Sequence, residues 1–151
     1  MARFESADGS DAVALLSAVG SEFWTVSSSD IDAADIARRL PAGEGEVRAI
    51  VAIEPPVAGD EDSGMGAWHI NAHDELHLVR SGQGLLQVVT QGGIVTVWLG
   101  PGDVMAMSGA EHRFRALTSQ EWVLRWSGGP EADLGPRETG RVSVAWPTPA
   151  P

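Results

Sequence analysis

From Glu46 onward the chain is a succession of short, strand-like runs broken by glycine-rich turns, and this pattern limits the fold more than any other feature. The runs cover residues 47–53, 67–71, 75–80, 84–90, 94–99, 103–107, 112–117, 121–126 and 142–146. Between them stand Pro55-Pro56, Ser81-Gly82, Gln91-Gly92-Gly93, Gly100-Pro101-Gly102, Ser108-Gly109 and Gly128-Gly129-Pro130, residue types that turn a chain sharply. Many short strands spaced roughly 8–12 residues apart predict an all-β sandwich or small barrel.

Residues 1–46 are mixed in texture and predict a short helical segment packed on the barrel. Residues 11–19 form an apolar run of helical composition that Gly20 would stop. Ser29 or Asp30 can cap a second helix over 31–40, with Ile31, Ala34 or Ile36, and Leu40 on one face and Pro41 as its end. A barrel over 47–146 and a frayed tail over 147–151 complete the chain, and 151 residues suit a single domain.

Composition removes several kinds of chemistry. Cysteine is absent, which excludes a thiolate nucleophile and a disulfide framework. All ten basic residues are arginine, so Schiff-base chemistry and a P-loop are excluded. Tyrosine is absent too, leaving Asp, Glu and four histidines as titratable catalysts. A net charge of −11 sets the chain against nucleic acid and anionic membrane as partners. No apolar run reaches the length of about 18 residues that a spanning helix needs. The start Met1-Ala2-Arg3-Phe4-Glu5 lacks the charged-then-apolar order of a signal peptide, so a cytoplasmic protein is the simplest expectation.

Three of the four histidines fall in His69-Ile70-Asn71-Ala72-His73-Asp74-Glu75-Leu76-His77. Their spacing would align them on a helix face. The flanking Gly66 and Ser81-Gly82 leave little room for a helix, and the alternation fits strands better. His69, Asn71, Glu75, His77 and Val79 then share one face, while Ile70, Leu76 and Leu78 share the other. Such a polar face suits the inside of a pocket. His112, further along, can join it. Two imidazoles and a carboxylate converging inside a barrel hold a divalent ion on one side and leave positions open for substrate, water or oxygen.

The stretch from Gly66 to Gly84 resembles the first cupin motif, with His69, Glu75, Gly82 and Gly84 as its strongest part. Gly102-Asp103-Val104 through Ser108-Gly109-Ala110-Glu111-His112-Arg113-Phe114 resembles the second. Within cupins the chain is most similar to the acireductone dioxygenase family, over roughly residues 30 to 140, where a segment like Asp32 to Leu40 also precedes the barrel. The resemblance implies a small cupin (double-stranded β-helix, or jelly-roll) barrel. It implies His69, Glu75 and His112 as ligands of a divalent metal, Fe2+ first and Ni2+, Mn2+ or Zn2+ as alternatives. It also implies a small-molecule substrate, O2 as co-substrate and a homodimer. Asn71 stands where the family has its second metal histidine, and offers at most a weak, neutral ligand or a substrate contact. His77 stands at the position of the family's substrate arginine, which suggests a contact to a different substrate or a catalytic acid or base instead. Arg125 matches a later arginine and would clamp an anionic substrate end. Ser108 stands where proline is usual, the second motif is one residue short, and the helical insert before the first motif is largely missing.

Two chemistries fit this reading. One is a dioxygenase acting on an enediol or hydroxy-ketone that chelates the metal. The other is a non-redox isomerase, cyclase or lyase in which the metal is a Lewis acid. A metal-poor cupin that binds a small ligand is a third, non-enzymatic reading. The remaining features have plain explanations. His73 falls in a turn and is expected to face solvent, and Asp60-Glu61-Asp62 reads as a solvated loop. Most of the six tryptophans are expected in the core, with one or two walling the pocket and Trp68 pointing away from it.

Overall fold

A computed structural model describes residues 2–6, 9, 11–26, 47–126 and 135–148. The helix expected over 31–40 and the end of the tail lie outside the described residues. Eleven strands among the described residues form two antiparallel sheets that face each other. They are β1 (Arg3–Ser6), β2 (Ser21–Thr25), β3 (Val47–Ile53), β4 (His69–Asn71), β5 (Glu75–Ser81), β6 (Gly84–Thr90), β7 (Gly93–Leu99), β8 (Asp103–Met107), β9 (His112–Ala116), β10 (Gln120–Trp126) and β11 (Pro136–Glu138). The first sheet has the order β1-β7-β6-β9-β4-β11 and the second β2-β8-β5-β10-β3. Consecutive strands often lie in different sheets, as they must when a jelly-roll closes round one core.

Alternation decides what each strand buries. Leu86 and Val88 of β6, Val95, Val97 and Leu99 of β7, Phe114 of β9 and Trp122 of β10 meet Val79, Met105 and Met107 in the main core. Their neighbours in sequence face outward. On the outer face of the second sheet, Leu76, Leu78, Val104 and Val123 make a second buried cluster. A short helix, α1 (Ala12–Ala18), lies where the apolar run of 11–19 predicted it. The Asp11 carboxylate accepts from the backbone N–H of Val13 and Ala14, and Leu16 is buried in the main core.

The two motif glycines have steric duties. Gly82 adopts a φ of 81°, and a Cβ there would collide with the Ser119 carbonyl. At Gly84 a Cβ would come within 2.6 Å of the Phe114 ring. The glycines therefore let the β5–β6 turn close over Phe114.

Two expectations need correction. The first 46 residues are not simply helical, because β1 pairs with β7 and β2 with β8. Both are sheet-edge strands with few buried side chains, so their sequences, Arg3-Phe4-Glu5-Ser6 and Ser21-Glu22-Phe23-Trp24-Thr25, carry little apolar alternation. Residues 142–146 do not form the predicted strand. Val142 and Val144 are exposed, and the Val144 carbonyl is taken by the Arg113 side chain instead of a ladder partner. The last strand is β11, which pairs with β4. Its Pro136 sits at the first position of a sheet-edge strand, where a missing N–H is tolerated. No helix among the described residues is long and apolar enough to cross a membrane.

Candidate functional site

β4 and β5 are joined by a tight turn and carry His69, Asn71, Glu75 and His77 into the space between the sheets. There they line a cavity of about 520 Å3. β9 brings His112 directly opposite His69, with ring centroids 4.4 Å apart. All five side chains are buried. The polar face read from the alternation is therefore the wall of a pocket.

The hydrogen bonds define what each group offers. His69 Nδ1 lies 2.7 Å from the Ala67 carbonyl, and His112 Nδ1 lies 2.8 Å from that of Ala110. A carbonyl only accepts, so each Nδ1 carries a proton and each ring turns its Nε2 elsewhere. Burial pushes His112 down to about 4, against the opposing attraction of Glu75, so its ring is neutral at ordinary pH. Asn71 donates from its side-chain nitrogen to Glu75 Oε2 at 2.6 Å. Burial by itself would raise the Glu75 carboxyl, but His77, His112 and Asn71 outweigh it and hold the group below its ordinary value. Glu75 is thus a buried carboxylate.

Its other oxygen is without a hydrogen bond. Glu75 Oε1 stands 3.5 Å from Nε2 of both His77 and His112, and it has no donor. Neither approach is a hydrogen bond, so this buried oxygen stays open to a positive partner. His77 also lacks hydrogen-bond partners on both ring nitrogens, and its ring meets Trp122 edge-on at 4.7 Å. Among the described residues no group of three or more His, Asp or Glu side chains stands ready-made to hold an ion. What the site presents is a set of bare donors on strands, still held apart.

The remaining walls are apolar. Val51 and Ile53 of β3, Met105, Phe114, Trp122 and Leu124, with Met65 and Pro136, surround the polar cluster, and Glu138 lies at the opening. Met105, Phe114 and Trp122 belong to the main core as well, so the cavity floor is as rigid as the core itself.

Arg125 does not line this cavity. Trp122 and Leu124 of β10 do, so the alternate residue Arg125 faces the other side of its sheet, where it pairs in register with Leu76 and is buried. Burial there lowers its pKa. A substrate clamp by Arg125 is excluded by the pleat. His73 lies half-buried in the β4–β5 turn, outside the cavity lining. The sequence reading also missed the apolar walls. The alternation of β3 and β10 held a signal for Val51, Ile53, Trp122 and Leu124. Nothing local marked Pro136 or Glu138, which reach the site through a strand that was not foreseen.

A solved acireductone dioxygenase from Bacillus anthracis, with a cadmium ion in its active center, has a similar structure: TM-score 0.55 and 16% identity over 76% of this chain and 80% of that one. The fold is a cupin barrel. A formate complex of oxalate decarboxylase from Lactobacillus farciminis is also similar, with TM-score 0.47 and 16% identity. That match covers 80% of this chain and 31% of the decarboxylase. At these identities the likeness is one of fold. No protein-family model and no curated protein matches the sequence.

Proposed function

We propose that this cupin is a metal-dependent enzyme acting on a small molecule with adjacent oxygens, an enediol or hydroxy-ketone, with Fe2+ as the favoured ion. The observation that carries the reading is the buried, donor-less Glu75 Oε1 facing the bare Nε2 of His112. Two atoms that each bind one ion at about 2.1 Å lie no more than about 4.2 Å apart. Their 3.5 Å separation therefore suits a shared cation. His69, directly opposite His112, would supply the third ligand as the side chains draw in around the ion. The Ala67 and Ala110 carbonyls fix the tautomers, and Asn71 steadies Glu75 through its side-chain nitrogen, which leaves its oxygen for a weak ligand or substrate contact. When bound, the ion supplies a Lewis-acid centre and, as Fe2+, a route to O2 chemistry.

The chain's own residues do the rest. The apolar walls exclude water from the reacting end of the substrate. His77 Nε2 is positioned to take a proton from a substrate hydroxyl or an adjacent carbon, because neither ring nitrogen is committed elsewhere. That same freedom favours a second reading, a non-redox isomerase, cyclase or lyase in which His77 is the base.

Metal content separates an enzyme of either kind from a plain binding module. Protein purified without a histidine tag or added metal should carry about one Fe, Ni, Mn or Zn per chain, and His69→Ala should lose it. Metal-free protein that takes up no ion would end the reading. Oxygen uptake with an enediol then identifies the dioxygenase, and equal turnover without air identifies the non-redox enzyme.

A further inference from the structure

The cavity is polar at one end and hydrocarbon everywhere else. Beyond the histidine and glutamate cluster its wall is built from Val51, Ile53, Met105, Phe114, Trp122 and Leu124. Trp122 stands edge-on to both His77 and Phe114, each at 4.7 Å, which makes a continuous wall of rings. No arginine lines the cavity among the described residues, and the chain has no lysine. The charged groups that do line it, Glu75 and Glu138, are both acidic, and exposed Glu138 lies at the opening.

We infer that the substrate carries its oxygens at one end only and has an uncharged, apolar or aromatic body. A second anionic group at the far end would be stripped of water against hydrocarbon, with no cation among the described residues to receive it and with Glu138 to repel it. A volume of about 520 Å3 accommodates a ring with a short side chain. This inference rests on the proposed function for which end of the substrate reacts; the tail preference follows from the walls themselves.

The test uses two probes with the same dihydroxyphenyl head. Propylcatechol ends its three-carbon tail in a methyl group, and dihydrocaffeate ends it in a carboxylate. Binding of each to the full chain is measured by calorimetry, first with metal removed by chelation and then with Zn2+ added. Propylcatechol should bind at least about tenfold tighter in both states, since one buried unpaired charge exceeds that penalty. Glu138→Gln should narrow the gap by removing the repelling charge. Ile53→Arg should narrow or reverse it by supplying a cation. Dihydrocaffeate binding equally well or better to the unaltered protein, or neither probe binding, would overturn the inference. A preference for propylcatechol in a protein that takes up no Zn2+ would uphold it while ending the metal reading. Zn2+ uptake with no preference between the tails would do the reverse.

Discussion

His112 and Arg113 are consecutive residues of β9, both buried, and they face opposite sides of the first sheet into two very different polar clusters. Every guanidinium nitrogen of Arg113 is hydrogen-bonded. Its Nε donates to Gln87 Oε1 at 2.8 Å, Nη1 to Asp62 Oδ1 at 3.2 Å and Nη2 to the Val144 carbonyl at 2.9 Å. Its guanidinium lies 3.9 Å from the Trp146 ring centre, and Trp146 in turn donates to Asp62. This cluster fastens Val144, Trp146 and the loop before β4 onto the sheet. On the other side His112, Glu75 and His77 leave donors and acceptors unused. A cluster that serves the fold completes its own hydrogen bonds. One that serves a ligand keeps them open and accepts lower stability.

The comparison breaks most directly at Arg113. Arg113→Ala removes a buried cation and takes the donor from Gln87 Oε1 and the Val144 carbonyl, while Asp62 keeps Trp146. It should cost roughly 3–5 kcal/mol in urea unfolding. A loss below about 1 kcal/mol would show that the cluster is not the structural half of the pair.

Acid should act through the open cluster. Burial holds folded His112 near 4, whereas its ordinary value is 6.5. Between these values the unfolded chain binds a proton that the folded chain does not, so metal-free protein should lose stability as pH falls from 6.5 toward 4. Glu75, held below 4.5, carries the loss to still lower pH in the same direction. Urea midpoints across this range should decline, with His112→Gln flattening the slope. A level profile in the unaltered protein would contradict the burial argument.

A smaller effect sharpens the contrast. His77→Leu replaces two unpartnered nitrogens with hydrocarbon against Trp122. It should raise metal-free stability by about 1 kcal/mol while abolishing turnover. Destabilisation by a similar amount would mean that His77 is paired in the working protein. The smallest change belongs to the surface. Arg141 pairs with Glu111 at 2.9 Å, but its side chain is 43% exposed, so Arg141→Ala should cost no more than about 1 kcal/mol.

Much of the site was legible because strand alternation is local. The glycine turns delimit the strands, and the period of two puts His69, Asn71, Glu75 and His77 on one face whatever lies across from them. The same logic, carried through, would have placed Arg125 opposite Leu124. The error came from matching a residue type before checking the parity of its strand. The edge strands β1 and β2 were hidden because an exposed edge needs no apolar pattern, and residues 142–146 misled because their valines face solvent.

The sequence by itself determined the turns, the barrel class and the polar stripe of β4 and β5, since backbone conformation and side-chain parity depend on near neighbours. Only the tertiary structure decided that Asn71 holds Glu75, that His112 stands opposite His69, that β3 and β11 complete the cavity and that Arg113 locks the other face. Those relations depend on cross-strand register and sheet order, which bring together residues far apart in sequence and leave no mark in any short stretch of chain.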